Sequence, residues 1–216
     1  TWNLVIIGFL VLFSIASISR YISYYYFRKH YVPKIRLEKG YHFSFWKFLR
    51  KAPRNNFGKF VIYIALMNFT FNLAGPFFAV YLLSDLGMNY LWFTLVVVSA
   101  GFFSVIFVPM WGRFADKYGN VELMKITGLM TVLIPLLWTL SPNPLYLILV
   151  PQLIAGLALS GFGLSSSNFI YDAVTVQKRA IIVAYYGMLN GVAIFIGAGL
   201  GGLFSQYVEI PFMKTF

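Results

Sequence analysis

Residues 126–171 read ITGLMTVLIPLLWTLSPNPLYLILVPQLIAGLALSGFGLSSSNFIY, without a single Asp, Glu, Lys or Arg. A helix needs about 20 such residues to cross roughly 30 Å of hydrocarbon. The run is too long for one crossing and suits two. Ser141-Pro142-Asn143-Pro144 divides it, because paired prolines remove backbone donors and cannot continue a helix. A connection that short makes the two helices antiparallel neighbours.

The same reading extends outward. Trp2 to Ser19, Phe60 to Ser84, Leu86 to Gly112 and Ala180 to Val208 are also free of charged residues. Lipid offers no partner to backbone N–H and C=O groups, so each crossing is a helix or part of a closed barrel. Barrel strands are about 10 residues long and alternate in polarity, and these runs are continuous. The expectation is an all-α polytopic transmembrane helical bundle. Its six spans run at about Trp2–Phe27, Phe57–Ser84, Asn89–Trp111, Val121–Leu140, Leu145–Tyr171 and Ala180–Tyr207.

Composition agrees. The chain has 216 residues, 60% of them hydrophobic and 11% charged, with a mean hydropathy of +0.76. A soluble domain needs more polar surface than that. The net charge of +11 would suggest nucleic acid in a soluble protein. Here it follows from topology, and no nucleic acid partner is expected. The loop after the first span carries Arg28, Lys29, Lys34, Arg36, Lys39, Lys47, Arg50, Lys51, Arg54 and Lys59. Arg113, Lys117, Lys125, Lys178 and Arg179 fall on the same side if the spans alternate. The opposite turns, Asp85–Asn89 and Ser141–Pro144, carry no Lys or Arg, and only Lys214 in the tail joins them. Basic loops mark the cytoplasmic face, so the expected location is a cell (plasma or inner) membrane, crossed many times. Arg20 is expected to snorkel to that face.

The organisation expected is a membrane helix over 1–27, a cytoplasmic basic loop over 28–56, a five-helix portion over 57–207 and an extracytoplasmic tail over 208–216. Within the loop, Phe45, Trp46, Phe48 and Leu49 recur at helical spacing against Lys47, Arg50 and Lys51. That pattern predicts a short helix at the headgroup boundary, with a plain basic linker as the alternative. Cysteine is absent, and His30 and His42 have no neighbouring ligand set, so no metal site and no cofactor are expected.

After the third span stands Gly112-Arg113-Phe114-Ala115-Asp116-Lys117-Tyr118-Gly119. This resembles the cytoplasmic loop signature of the major facilitator superfamily. Gly112, Asp116, Lys117 and Gly119 match it. Asn120, Val121 and Glu122 depart from it, standing where the family usually continues with basic residues. The order of elements is similar too, so that the six spans resemble helices six to eleven of a twelve-helix, two-half transporter. The chain, which starts at Thr1, is expected to be a fragment of such a protein, holding the last helix of the first half and most of the second. Its partners would be the lipid bilayer, the missing N-terminal half, an unidentified small-molecule substrate and, left open, a coupling ion.

The resemblance implies that Gly112, Arg113, Asp116, Lys117 and Gly119 form a conformational-switch loop, in which Asp116 caps the positive end of a facing helix. It also implies that the second and fifth spans line a central cavity. Asn68, Asn72, Gln152 and Asn168 are candidate cavity residues, since polar groups at membrane depth are costly unless they face a cavity or a partner helix. Interhelical hydrogen bonding is the competing reading. Gly75-Pro76 is expected to interrupt the second span and free backbone carbonyls there. Gly187, Gly191, Gly197 and Gly201 are paired at four-residue spacing, as in close helix packing. The function implied is solute transport by alternating access. A lipid-modifying membrane enzyme is the main rival, but Asp116, Glu122 and Asp172 are spread over separate loops. A non-transporting scaffold or receptor is the other.

Overall fold

The computed structural model describes residues 2–31 and 44–207. The rest of the basic loop, with Lys34, Arg36, Lys39 and His42, lies outside the described residues, as does the tail with Lys214. The chain divides into two units, residues 1–37 and 38–216. The first contains α1, Trp2–Arg28, an uninterrupted helix. The charge of Arg28 in its last turn complements the helix dipole.

The second unit begins with α2, Phe45–Lys51, which passes through one 3₁₀ turn, Ala52–Arg54, into α3, Asn56–Val80. Asn55 caps α3: its Oδ1 accepts from the Gly58 N–H at 2.6 Å. α3 runs unbroken through Gly75-Pro76, contrary to the expected interruption there. Pro76 withholds only the one N–H that would reach the Asn72 carbonyl, and a long membrane helix tolerates that loss. The helix changes its winding later, at a π-helical turn over Tyr81–Asp85, where the Leu86 N–H reaches back to the Tyr81 carbonyl at 2.9 Å.

α4 spans Tyr90–Tyr118 and continues past Trp111, the expected end of the third span. Charged residues such as Arg113 and Lys117 continue a helix as readily as apolar ones, so the charge boundary does not mark the helix end. α5, Asn120–Thr131, and α6, Leu133–Trp138, make the fourth span. α7, Pro144–Leu149, and α8, Pro151–Ala173, make the fifth. Each of these spans is divided, at Val132 and at Val150, next to a proline that withholds a donor. Pro135 leaves the Thr131 carbonyl without its usual partner, and Pro151 leaves that of Leu147. α9, Val176–Tyr207, is the sixth. Among the described residues, six helices are long and apolar enough to cross a membrane, and no strand occurs.

In the second unit α3 lies along α9, α4 along α8, and α5 packs on α8. Lipid is as apolar as leucine, so these contacts rest on close packing and hydrogen bonds and gain little from hydrophobic burial. Small residues permit it. A Cβ on Gly197 would stand 2.5 Å from the Phe69 carbonyl oxygen, and one on Gly201 would strike that of Leu73. On the other pair, a Cβ on Gly156 would stand 2.5 Å from the Phe103 Cβ and 2.7 Å from the Ala100 carbonyl oxygen. Outward side chains stay bare, including Phe195 at 79% exposure and Val105 at 74%. In water such a surface would aggregate, whereas in a bilayer it meets its preferred solvent.

Among the described residues the buried apolar side chains form three clusters, one of them Trp111, Ala115 and Leu123. Phe48, Phe60, Val61, Ile64, Met124, Phe162 and Ile170 cluster at the end of the α4–α5 turn. Leu82, Val96, Trp138 and Leu147 cluster at the other. α2 is a short helix, and its Phe48 is buried against the Phe57 and Tyr185 rings. Trp46 on its outer face is exposed.

Candidate functional site

A cavity of about 790 Å³ opens among α3, α4, the fourth span and α8. From α3 come Met67, Thr70, Phe71, Ala74, Gly75 and Phe78. Facing them are Phe93 and Val97 of α4, and Thr131, Pro135 and Trp138 of the fourth span. α8 contributes Gln152, Ala155 and Leu159. None of the lining side chains carries a formal charge.

The helices explain which polar atoms remain available. The Thr70 hydroxyl donates to the Leu66 carbonyl at 2.6 Å, and that of Thr131 to the Gly128 carbonyl at 2.6 Å. Both hydroxyl oxygens keep lone pairs. Gln152 is buried, and its Nε2 donates across the helix pair to the Val96 carbonyl at 2.6 Å. That bond fixes the amide plane and leaves Oε1 without a partner. Among the described residues, Arg179 Nε is the side-chain atom both sealed from solvent and unpaired. The free Gln152 Oε1 therefore reaches open space.

The four candidate cavity residues do not gather in one place. Gln152 lines the cavity, and Asn68, Asn72 and Asn168 are not among its lining residues. Asn68 Nδ2 donates to Asn190 Oδ1 at 2.7 Å, tying α3 to α9. Asn190 Nδ2 in turn donates to the Tyr186 carbonyl at 2.8 Å, and Asn72 Nδ2 to that of Asn68 at 2.8 Å. Asn168 is drawn to the far end of α8, where its Nδ2 donates to Asn120 Oδ1 at 3.2 Å. Asn120 Nδ2 donates to Asp172 Oδ2 at 2.7 Å. Asn190 and Asn120 escaped the sequence reading because their partners lie 122 and 52 positions away.

The signature segment is mostly helix. Gly119 alone joins α4 to α5, at φ 89° and ψ 157°. Its N–H closes α4 on the Ala115 carbonyl at 2.8 Å. Arg113, Asp116 and Lys117 project from the last turns of α4 and are exposed. Lys117 lies over the Tyr118 ring, its Nζ 5.0 Å from the centroid. No ion pair or hydrogen bond engages the Asp116 carboxylate among the described residues. Nearby, the Arg179 guanidinium closes the α8–α9 corner by donating to the Tyr171 carbonyl at 3.1 Å, and it lies 4.8 Å from that ring's centroid. The glycine pairs divide. Gly197 and Gly201 meet α3, whereas a Cβ on Gly187 or Gly191 would meet nothing within 4 Å.

Comparison with known proteins bears on this arrangement. The chain is 30% identical over 110 residues to the tetracycline resistance protein, class H, of Pasteurella multocida. That stretch covers 50% of this chain and 27% of that protein. Over 69 residues it is 41% identical to the MFS-type transporter olcL of Penicillium canescens, covering 32% of this chain and 12% of that one. The chain thus spans well under two thirds of either relative. No solved structure matches significantly. A family model described as Major Facilitator Superfamily matches residues 60–213, a range that takes in α4, the Gly119 turn and every cavity-lining side chain. With that match over most of its length and its membrane-length helices, the chain belongs to the Major Facilitator Superfamily and is a multi-pass membrane protein.

Proposed function

We propose that this chain is part of a solute transporter that works by alternating access and moves a small solute without covalent chemistry. The observation that carries the reading is the cavity of about 790 Å³ among the membrane-length helices. Its size falls within the roughly 300–1,000 Å³ usual for small-molecule sites, and its apolar walls hold a few fixed polar groups, as such sites do. The names of the two relatives, one a resistance protein and one a transporter, support the same reading.

In this reading Gln152 contacts the solute directly. Asn68 holds α3 against α9 through Asn190, where solute-dependent movement would be felt. The basic loops face the cytoplasm of a cell membrane. Asp116, free of partners in the described chain, engages a facing helix end in one of the two states. Gly119 sets the direction in which Arg113, Asp116 and Lys117 project.

The test is accumulation of a solute panel by cells expressing the full-length protein or its Asp116→Ala variant, at matched membrane levels. Transport predicts a difference from empty cells for at least one solute, reduced by the substitution. Identical accumulation across the panel, together with an altered membrane lipid profile, would instead favour a lipid-modifying enzyme.

A further inference from the structure

The cavity's chemistry restricts what it can hold. Its lining offers neither a carboxylate to pair with a cation nor an ammonium or guanidinium to pair with an anion. A formal charge brought there would lose its hydration without compensation. Apolar area dominates the wall, and Phe71, Phe78, Phe93 and Trp138 supply aromatic rings at several heights. Aromatic walls favour flat aromatic guests through stacked or edge-to-face contacts. Both hydroxyls have spent their protons on backbone carbonyls, and Gln152 Nε2 is held by Val96, so the Trp138 indole N–H is the lining donor that no hydrogen bond engages among the described residues. What projects unspent from α8 is an acceptor, Gln152 Oε1. An apolar guest without a donor would leave it desolvated and unpaired, at a cost of about 1–3 kcal/mol.

We infer that the cavity among α3, α4 and α8 takes an uncharged, lipophilic aromatic solute bearing an N–H or O–H, which Gln152 Oε1 accepts. This rests on the transport reading and adds the substrate class. Gln152 then acts as a specificity residue. Its aromatic neighbours hold any flat apolar ring, and the amide selects the rings that carry a donor.

Three fluorescent probes with one ring system separate the elements of the inference. N-phenyl-1-naphthylamine is neutral and has one N–H. Its N-methyl derivative lacks the donor. 1-Anilinonaphthalene-8-sulfonate adds a fixed negative charge. Saturable binding to the full-length protein in nanodiscs is measured, with empty nanodiscs subtracted. The neutral amine is expected to bind at least tenfold tighter than the sulfonate and about fivefold tighter than the N-methyl derivative. Gln152→Leu should erase the second ratio and keep the first. Ala155→Trp and, as an independent blocker, Leu159→Trp should abolish binding, and retained thermal unfolding temperature shows that at least one of them folds.

Equal affinity for the sulfonate, donor preference that survives in Gln152→Leu, or binding that survives in a folded blocking variant would overturn the inference. So would no saturable binding at all, as when a lipid tail or another helix fills the space. Counterflow of the neutral amine in proteoliposomes separates this inference from the transport reading. Binding without counterflow sinks transport and keeps the site. Uptake of a charged solute that the blocking variants leave intact sinks the site and keeps transport.

Discussion

At φ 89° and ψ 157°, Gly119 occupies backbone space essentially closed to any residue with a Cβ. Gly119→Ala is therefore expected to cost about 1–3 kcal/mol, read as a lower thermal unfolding temperature in detergent. Gly112→Ala, where an added Cβ meets nothing within 4 Å, should leave that temperature unchanged. An unchanged Gly119→Ala protein would show that the turn relaxes freely. A second test concerns Asn190. Asn190→Leu removes the acceptor for Asn68 and should lower stability by about 0.6–1.7 kcal/mol, the range found for hydrogen bonds between membrane helices. The paired Asn68→Leu, Asn190→Leu variant should recover part of that loss, because no amide is then left unpaired. The sequence exposed Asn68, Asn72 and Gln152 as polar groups in apolar surroundings. It left open what each one faces, since that depends on a partner more than a hundred positions away for Asn68 and on α4 for Gln152.

Among elements, the glycine-bearing faces set how closely helices approach. Gly201→Val should drive its side chain into the Leu73 carbonyl and push α9 off α3, costing about 1–3 kcal/mol. Gly187→Ala should lie within about 0.5 kcal/mol of the parent, because its Cβ meets open space. Thermal unfolding of both variants, with crosslinking between cysteines placed on α3 and α9, measures the separation. If the two behaved alike, the difference between the pairs would be illusory. Four-residue spacing singled out both pairs, since spacing reports a stripe along a helix and not which stripe is covered. Gly156 carries as much packing as Gly201 but has no glycine at the matching position, so it left no pattern to find. Span ends were legible where charges interrupt apolar runs. The continuation of α4 to Tyr118 was not, because polar residues extend a helix into water as readily as they end one.

For the whole molecule, the six spans followed from charge-free blocks alone, and the described helices fall on them. The interruptions within the fourth and fifth spans were less legible, because a lone proline in a membrane helix is as often absorbed, as at Pro76, as it is disruptive. Side assignment remains a prediction. The 216 residues of this chain include no cysteine, so single substitutions here report once any cysteines elsewhere in the full-length protein are replaced. Pro142→Cys should react with a membrane-impermeant maleimide in intact cells, and Lys178→Cys only after permeabilisation. The reverse pattern would overturn the orientation.

The two interruptions have a mechanical consequence. Thr131 and Leu147 already lack the donors that Pro135 and Pro151 withhold, so flexing there has one backbone bond fewer to break at each junction. α6 and α7 are tied by the Tyr146 hydroxyl, which donates to the Leu137 carbonyl at 3.0 Å. The outer thirds of two crossings thus share one side-chain tie across two segments of weakened backbone bonding. Trp138 stands on one of these segments and lines the cavity, so a change of angle there would alter the cavity's width.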